Sequence, residues 1–154
     1  MRIKSLFALV LLCAITLTAC EREMQLLHCE LGILLPHGFE EYKGESTFDA
    51  AATNGEIIVG ITRISFAAAI EDGIPATLDT DKFAREYMAR AGHSEQLCMY
   101  GDVPYYCYND AAYSYYYTFY KSPHAYFCIT FIASAGHGIE AVLSLTGKVY
   151  LILD

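Results

Sequence analysis

Basic side chains are scarce. Ten Lys and Arg stand against eighteen Asp and Glu, a formal net charge of −8, and nucleic acid, which calls for a basic patch, is a poor partner for such a chain. Also missing is an apolar stretch of membrane-spanning length: the run from Leu6 to Leu17 is too short to cross a bilayer as a permanent helix. There is no Gly-x-Ser-x-Gly elbow, no phosphate-binding glycine loop and no His-Glu-x-x-His helix. Serine, histidine and aspartate all occur, but their presence alone is no evidence for a triad. Glu40-Glu41, Glu71-Asp72 and Asp79-x-Asp81 do not approach the ligand pattern of an EF-hand, and read as a solvated face or a helix cap. No internal repeat or low-complexity linker breaks the chain.

What is present is apolar and aromatic. With 154 residues, 55% of them hydrophobic and 14% aromatic, the chain is long enough for one domain with a real core and too short for two comfortable ones.

The first nineteen residues have the layout of a secretory signal: a basic start at Arg2 and Lys4, then the apolar run. Leu17-Thr18-Ala19-Cys20 closes it and resembles the bacterial lipobox, in which cleavage follows the small residue and the cysteine carries lipid. The expected organisation is therefore a signal peptide over 1–19, lipidated Cys20 with a tether over 20–25 that includes Glu21-Arg22-Glu23, and a single α+β domain over 26–154. Two or three acyl chains on Cys20 anchor far more firmly than one. Loss of the leader takes the charge from −8 to −10, because Arg2 and Lys4 leave with it.

Six cysteines occur. Cys13 leaves with the leader and Cys20 is assigned to lipid, so Cys29, Cys98, Cys107 and Cys128 remain, with three ways to pair. Gly101-Asp102 supplies turn chemistry between Cys98 and Cys107, and a hairpin centred there sets those two across from each other; Cys29 would then pair with Cys128. An oxidising location favours this pairing. The competing arrangement is a metal site of His93, Cys98, His124 and Cys128, whose spacings are loose and lack a Cys-x-x-Cys knuckle. Neither a metal nor any cofactor is expected.

The tyrosine-rich stretch from Cys98 to Ala133 organises the rest. Tyr113 to Tyr120 and Ala125 to Ala133 are dense in aromatic and β-branched residues, and Lys121-Ser122-Pro123-His124 between them is a turn. Pairing Tyr120 with Ala125 sets Tyr116 against Ile129 and Thr118 against Phe127 on one face, with Tyr117 against Cys128 and Tyr115 against Thr130 on the other. Both faces are apolar, so the sheet needs cover on both sides, by helices or long loops. The tyrosines are either ordinary core and edge packing or a platform for a sugar or peptide. The candidate binding surface is Tyr100, Tyr105, Tyr106 and Tyr108 around the Gly101 turn, since aromatic side chains supply contact area at low entropy cost.

Elsewhere, Leu26 to Leu35 reads as a first strand ending at Pro36-His37-Gly38-Phe39, and a charged loop follows. Thr47 to Thr53 is strand-like, and Asn54-Gly55 turns it into the β-branched run from Glu56 to Phe66. Ala67 to Thr77 is a loop or short helix. Asp79 or Thr80 caps a helix through Ala91, with Phe83, Tyr87, Met88 and Ala91 on one face and Gly92 at its end. Ile139 to Leu145 reads as a short terminal helix, and Lys148 to Leu153 as a last strand or an apolar tail.

This element order, with the Leu35-Pro36-His37-Gly38-Phe39 entry, is similar to bacterial relatives of the PsbP family and also to small bacterial lipoproteins. The first resemblance implies an α-β-α sandwich over roughly 26–145, shared with a Ran-binding nuclear import factor, in proteins that mostly bind or assist other proteins and share no catalytic residues. The expected fold is thus an antiparallel β-sheet packed with one main helix and a short terminal one. The expected function is that of a membrane-anchored, extracytoplasmic, non-enzymatic binding or assembly module whose partners are the membrane and another envelope protein or peptide; the alternative is a metal-dependent or hydrolytic envelope enzyme using the histidines with Cys98 or Cys128.

Overall fold

A computed structural model describes residues 23–92, 97–100, 103–135, 139–146 and 148–152. The expected signal peptide, Cys20 as the expected lipidation site, and His93 lie outside the described residues. Within them the strands are β1 (Met24–His28), β2 (Leu31–Leu35), β3 (Glu40–Glu41), β4 (Ala50–Thr53), β5 (Ile57–Ser65), β6 (Leu97–Tyr100), β7 (Val103–Asn109), β8 (Tyr113–Lys121), β9 (Ala125–Ser134) and β10 (Val149–Leu151). The helices are α1 (Phe66–Glu71), α2 (Thr80–Arg90) and α3 (Ile139–Thr146). The molecule is a mixed α+β protein whose sheets are antiparallel throughout the described pairings.

Seven strands make the central sheet in the order β3-β4-β5-β9-β8-β7-β6, and β1-β2-β10 make a second, three-stranded sheet. Period-two alternation decides the rest, because adjacent strand residues must point to opposite faces. On one face of the large sheet Val59, Ile61, Phe127, Ile129, Phe131, Tyr105 and Tyr116 meet Leu31, Ile33 and Leu35 of the small sheet and Val142 and Leu145 of α3 in one buried cluster. On the other face Ile64, Tyr106, Phe119, Tyr126 and Cys128 meet Ala69 of α1 and Phe83, Ala84 and Met88 of α2. Each large side chain so buried contributes roughly 1.5–3 kcal/mol of transfer free energy.

The main helix starts and stops where its end residues require. Asp79 caps it, its carboxylate accepting from Lys82 N at 2.9 Å, and Gly92 follows with φ +76. Phe83 stacks on Tyr126 with ring centroids 3.6 Å apart and planes 3° from parallel, which fixes the helix against β9.

Three expectations shift in register or content. The β8–β9 ladder pairs Lys121 with Tyr126 and Tyr117 with Thr130, two residues from the expected pairing. Ser122 closes a tighter turn than foreseen, its Oγ accepting from His124 N and Ala125 N. A slip of two preserves every face. The β4–β5 turn shifts likewise: Asn54 N donates to Ile57 O, leaving Gly55 with φ +88 at the tip. Finally, Leu26 to Leu35 is a hairpin rather than one strand, folded at Cys29 with φ 51, and Val149–Leu151 joins it as a strand.

Candidate functional site

The four tyrosines expected to form a binding surface are divided by the sheet. Tyr105 is fully buried against the small sheet, whereas Tyr106, its chain neighbour, points to the helix side and is 5% exposed. Adjacent strand residues cannot share a face, so this surface is corrected. Tyr108 is 40% exposed on the helix side; the side chain of Tyr100 lies outside the described residues, although its backbone belongs to β6.

The cysteine expectations divide in the same way. Strands β6 and β7 do pair antiparallel, but the register sets Cys98 against Tyr105, and Cys107 against Tyr116 of β8 on the other side; Gly101-Asp102 lies outside the described residues. Cys98 and Cys107 are therefore diagonal neighbours on one face. Burial first, then the Cys98 thiol, pushes Cys107 up to about 12. All four domain thiols are free in this structure. The Cys29–Cys128 pairing is corrected: Cys29 is exposed in the turn of the small sheet, while Cys128 is buried on the opposite, helix-covered face of the large one. The alternative metal set fails for the same reason, since Cys98 packs on one face of the sheet and Cys128 on the other, with β7 and β8 between their strands. His124 sits at the β8–β9 turn, its Nε2 4.0 Å from Glu30 Oε1. Among the described residues no three His, Cys, Asp or Glu side chains are grouped to hold a metal.

The structure instead opens a groove of about 420 Å³ on the helix-covered face. Its floor is one row of same-face residues: Thr62 of β5, Cys128, Thr130 and Ile132 of β9, and Tyr115 and Tyr117 of β8. The register makes them neighbours, pairing Thr62 with Cys128, Tyr117 with Thr130 and Tyr115 with Ile132. The last turn of α2 supplies one wall through Tyr87, Met88 and Ala91; Thr47 and Phe48, ahead of β4, supply the other.

Phe48 is held in place by backbone and by a glycine. Asp49 N donates to Ile61 O at 2.9 Å, and the Asp49 carboxylate accepts from Arg63 N at 2.6 Å. The Phe48 ring then lies on Gly60, where a Cβ would meet ring carbons at 2.4 and 2.5 Å. Any larger residue at position 60 would lift this wall.

Electrostatically the groove is neutral. None of the described residues lining it carries a charge. Burial pushes the Tyr117 hydroxyl up to about 12 and raises Tyr87 as well. Burial likewise pushes the Cys128 thiol up to about 12, against a smaller opposing effect of its contact with Thr130 Oγ1 at 3.7 Å. A thiol so held is no ready nucleophile. At one end Tyr115 Oη donates to Asp110 Oδ2 at 3.1 Å, and the exposed rings of Tyr108 and Tyr113 lie 5.6 and 6.4 Å from the Tyr115 ring. The aromatic lining thus continues out onto the surface.

No protein-family model matches the chain, and no curated protein matches it. Its fold is similar to a crystal structure of a protein from Bacteroides thetaiotaomicron VPI-5482, with a TM-score of 0.52 at 8% sequence identity. The likeness covers 86% of this chain and 50% of that one, so this chain spans about half the length of the protein it matches. At that identity it concerns the fold alone.

The groove was poorly legible beforehand because its walls come from a helix end and a loop remote in sequence from its floor. One signal did exist: Gly60 interrupts a run of β-branched residues, and such a glycine marks close approach of another group.

Proposed function

We propose that the chain is an extracytoplasmic lipoprotein anchored to the membrane through Cys20, working as a non-enzymatic binding or assembly module whose recognition surface is the helix-side groove. The observation that carries this reading is the groove's lining: four aromatic rings and three threonines around one buried thiol, with no charge among the described lining residues. Concave, mostly apolar sites with a few polar groups are the usual form of ligand pockets. The protonated state of Cys128 supports recognition over nucleophilic chemistry.

The layering supports a PsbP-like sandwich as the finer fold, since α1 and α2 cover one face of the large sheet and α3 lies on the other. The three-stranded sheet beside α3 is a departure from that pattern.

Cell fractionation tests the anchor. Wild type should partition with membranes, while Cys20→Ala should be released or left unprocessed; a Cys20→Ala protein retained and processed like wild type overturns the anchor. Recognition is tested in the same cells with a photo-crosslinking residue at Thr47, on the groove lip, against one at Ile70, which is exposed on α1 and does not line the groove. Adducts from position 47 alone are expected. Equal adducts from both contradict the groove assignment.

A further inference from the structure

We propose that the groove binds a neutral saccharide, its rings stacked on the aromatic walls and floor and its hydroxyls bonded by the threonines. This rests on the reading of the groove as the recognition surface.

Charge is decided first. A charged ligand entering the groove would shed water without meeting an opposite charge among the described lining residues, and burying an unpaired charge is costly. Anions are further disfavoured by the chain's net charge of −8. The occupant is neutral.

Polarity is decided next. Thr47, Thr62 and Thr130 place hydroxyls among Phe48, Tyr87, Tyr115 and Tyr117, so a wholly apolar ligand would cover hydroxyls without bonding them, which loses their water at no return. A sugar ring matches both kinds of group, having flat C–H faces for aromatic rings and a rim of hydroxyls that donate and accept.

A peptide fits less well. A peptide that binds by adding to a strand edge finds none here, since the groove floor is the face of β5, β9 and β8, which are interior strands of the large sheet. Their main-chain groups are committed to the ladders. Length is suggested by the rings of Tyr108 and Tyr113, which continue the line from Tyr115 at 5.6 and 6.4 Å and are themselves 40% and 46% exposed. Successive platforms suit an oligosaccharide better than one isolated ring.

The test uses the lipidated full chain in a detergent without a sugar headgroup, titrated calorimetrically. The probes are neutral oligosaccharides built from glucose, galactose, mannose or N-acetylglucosamine, and uronate-containing counterparts of matched linkage. At least one neutral member should bind with Kd below about 1 mM, and its uronate counterpart about tenfold more weakly or not at all. Phe48→Ala and Tyr117→Ala should each weaken binding by about tenfold or more, with circular dichroism confirming the fold; Tyr108→Ala is the second variant where Tyr117→Ala fails to fold, with a smaller loss expected for the longer sugars only. No binding by any neutral member, preference for uronates, or affinity indifferent to these substitutions overturns the proposal. If a peptide or lipid occupies the groove while the saccharides do not, the saccharide assignment falls and the binding-module reading stands.

Discussion

Lys121 and Tyr126 pair across the β8–β9 ladder and reach the same two carbonyl oxygens, those of Ala76 and Leu78. Lys121 Nζ donates at 3.3 and 2.7 Å, and Tyr126 Oη lies at 2.9 and 2.7 Å. The ammonium also sits 5.1 Å from the Tyr126 ring centroid. The segment between α1 and α2 is thereby pinned to the end of the hairpin, and α2 begins directly after it. Because α2 walls the groove, this clamp is part of what shapes the site.

Tyr126→Phe should lower stability by about 1 kcal/mol, the ordinary net worth of one hydrogen bond. Lys121→Met should also destabilise, and the double variant should lose less than the sum, because each donor can cover carbonyls that the other leaves. Urea denaturation of the four proteins measures this coupling. Strictly additive losses would mean that the two donors do not share the carbonyls.

Gly60→Ala should destabilise although alanine ordinarily suits a strand at least as well as glycine. The added methyl meets the Phe48 ring at 2.4 Å, and overpacking of this kind costs roughly 1–3 kcal/mol. Combining it with Phe48→Ala should recover part of that loss. Gly60→Ala as stable as wild type would show that Phe48 does not rest on β5.

Period-two logic carried most of the fold. The two faces of β8 and β9, the helix from Asp79 and the turns before β5 and β9 follow from local residue types, and because register slipped by two rather than one, every side chain kept its face. The second sheet was not legible because its hairpin turns at Cys29-Glu30, which carries no Gly, Pro or Asn to announce it. Composition groups Tyr105 with Tyr106, but strand alternation sends them to opposite faces. The groove is tertiary: Phe48, Tyr87 and Tyr117 meet only after β5, β9 and β8 have assembled.

The thiols should sort by position. Passage through an oxidising compartment should link Cys98 to Cys107, the two losing two protons and two electrons to a disulfide donor, while Cys29 and Cys128 stay reduced. In the chain-entropy picture that ten-residue loop stabilises by roughly 2.5 kcal/mol. Alkylation with peptide mapping should label Cys29 quickly and Cys128 only after unfolding, as their exposure and burial require. A mapped Cys29–Cys128 bridge, or native-state labelling of Cys128, would contradict the topology.

Alkaline pH should destabilise the protein in a defined window. Burial raises Cys128 from 9.0 to about 12, and Tyr117 and Tyr120 from 10.0 to about 12. The folded state holds these protons more tightly than the unfolded chain, so their contribution is fully present below pH 9 and is lost as pH rises toward 12. Thermal unfolding followed by circular dichroism should give no loss from these groups up to pH 8.5 and a falling Tm above pH 9. In parallel, ultraviolet titration should show a late tyrosinate fraction near pH 12. A Tm rising between pH 9 and 11, or all tyrosines ionising together near 10, would contradict the burial of Tyr117 and Tyr120.

Hydrogen exchange on the full chain is the most direct test of the groove as recognition surface, carried out with glycan, peptide and lipid fractions added separately. One fraction should slow exchange in segments 47–49 and 87–92, the two walls, and leave the β6–β7 turn unchanged. Protection confined to the β6–β7 turn, or none from any fraction, would contradict it.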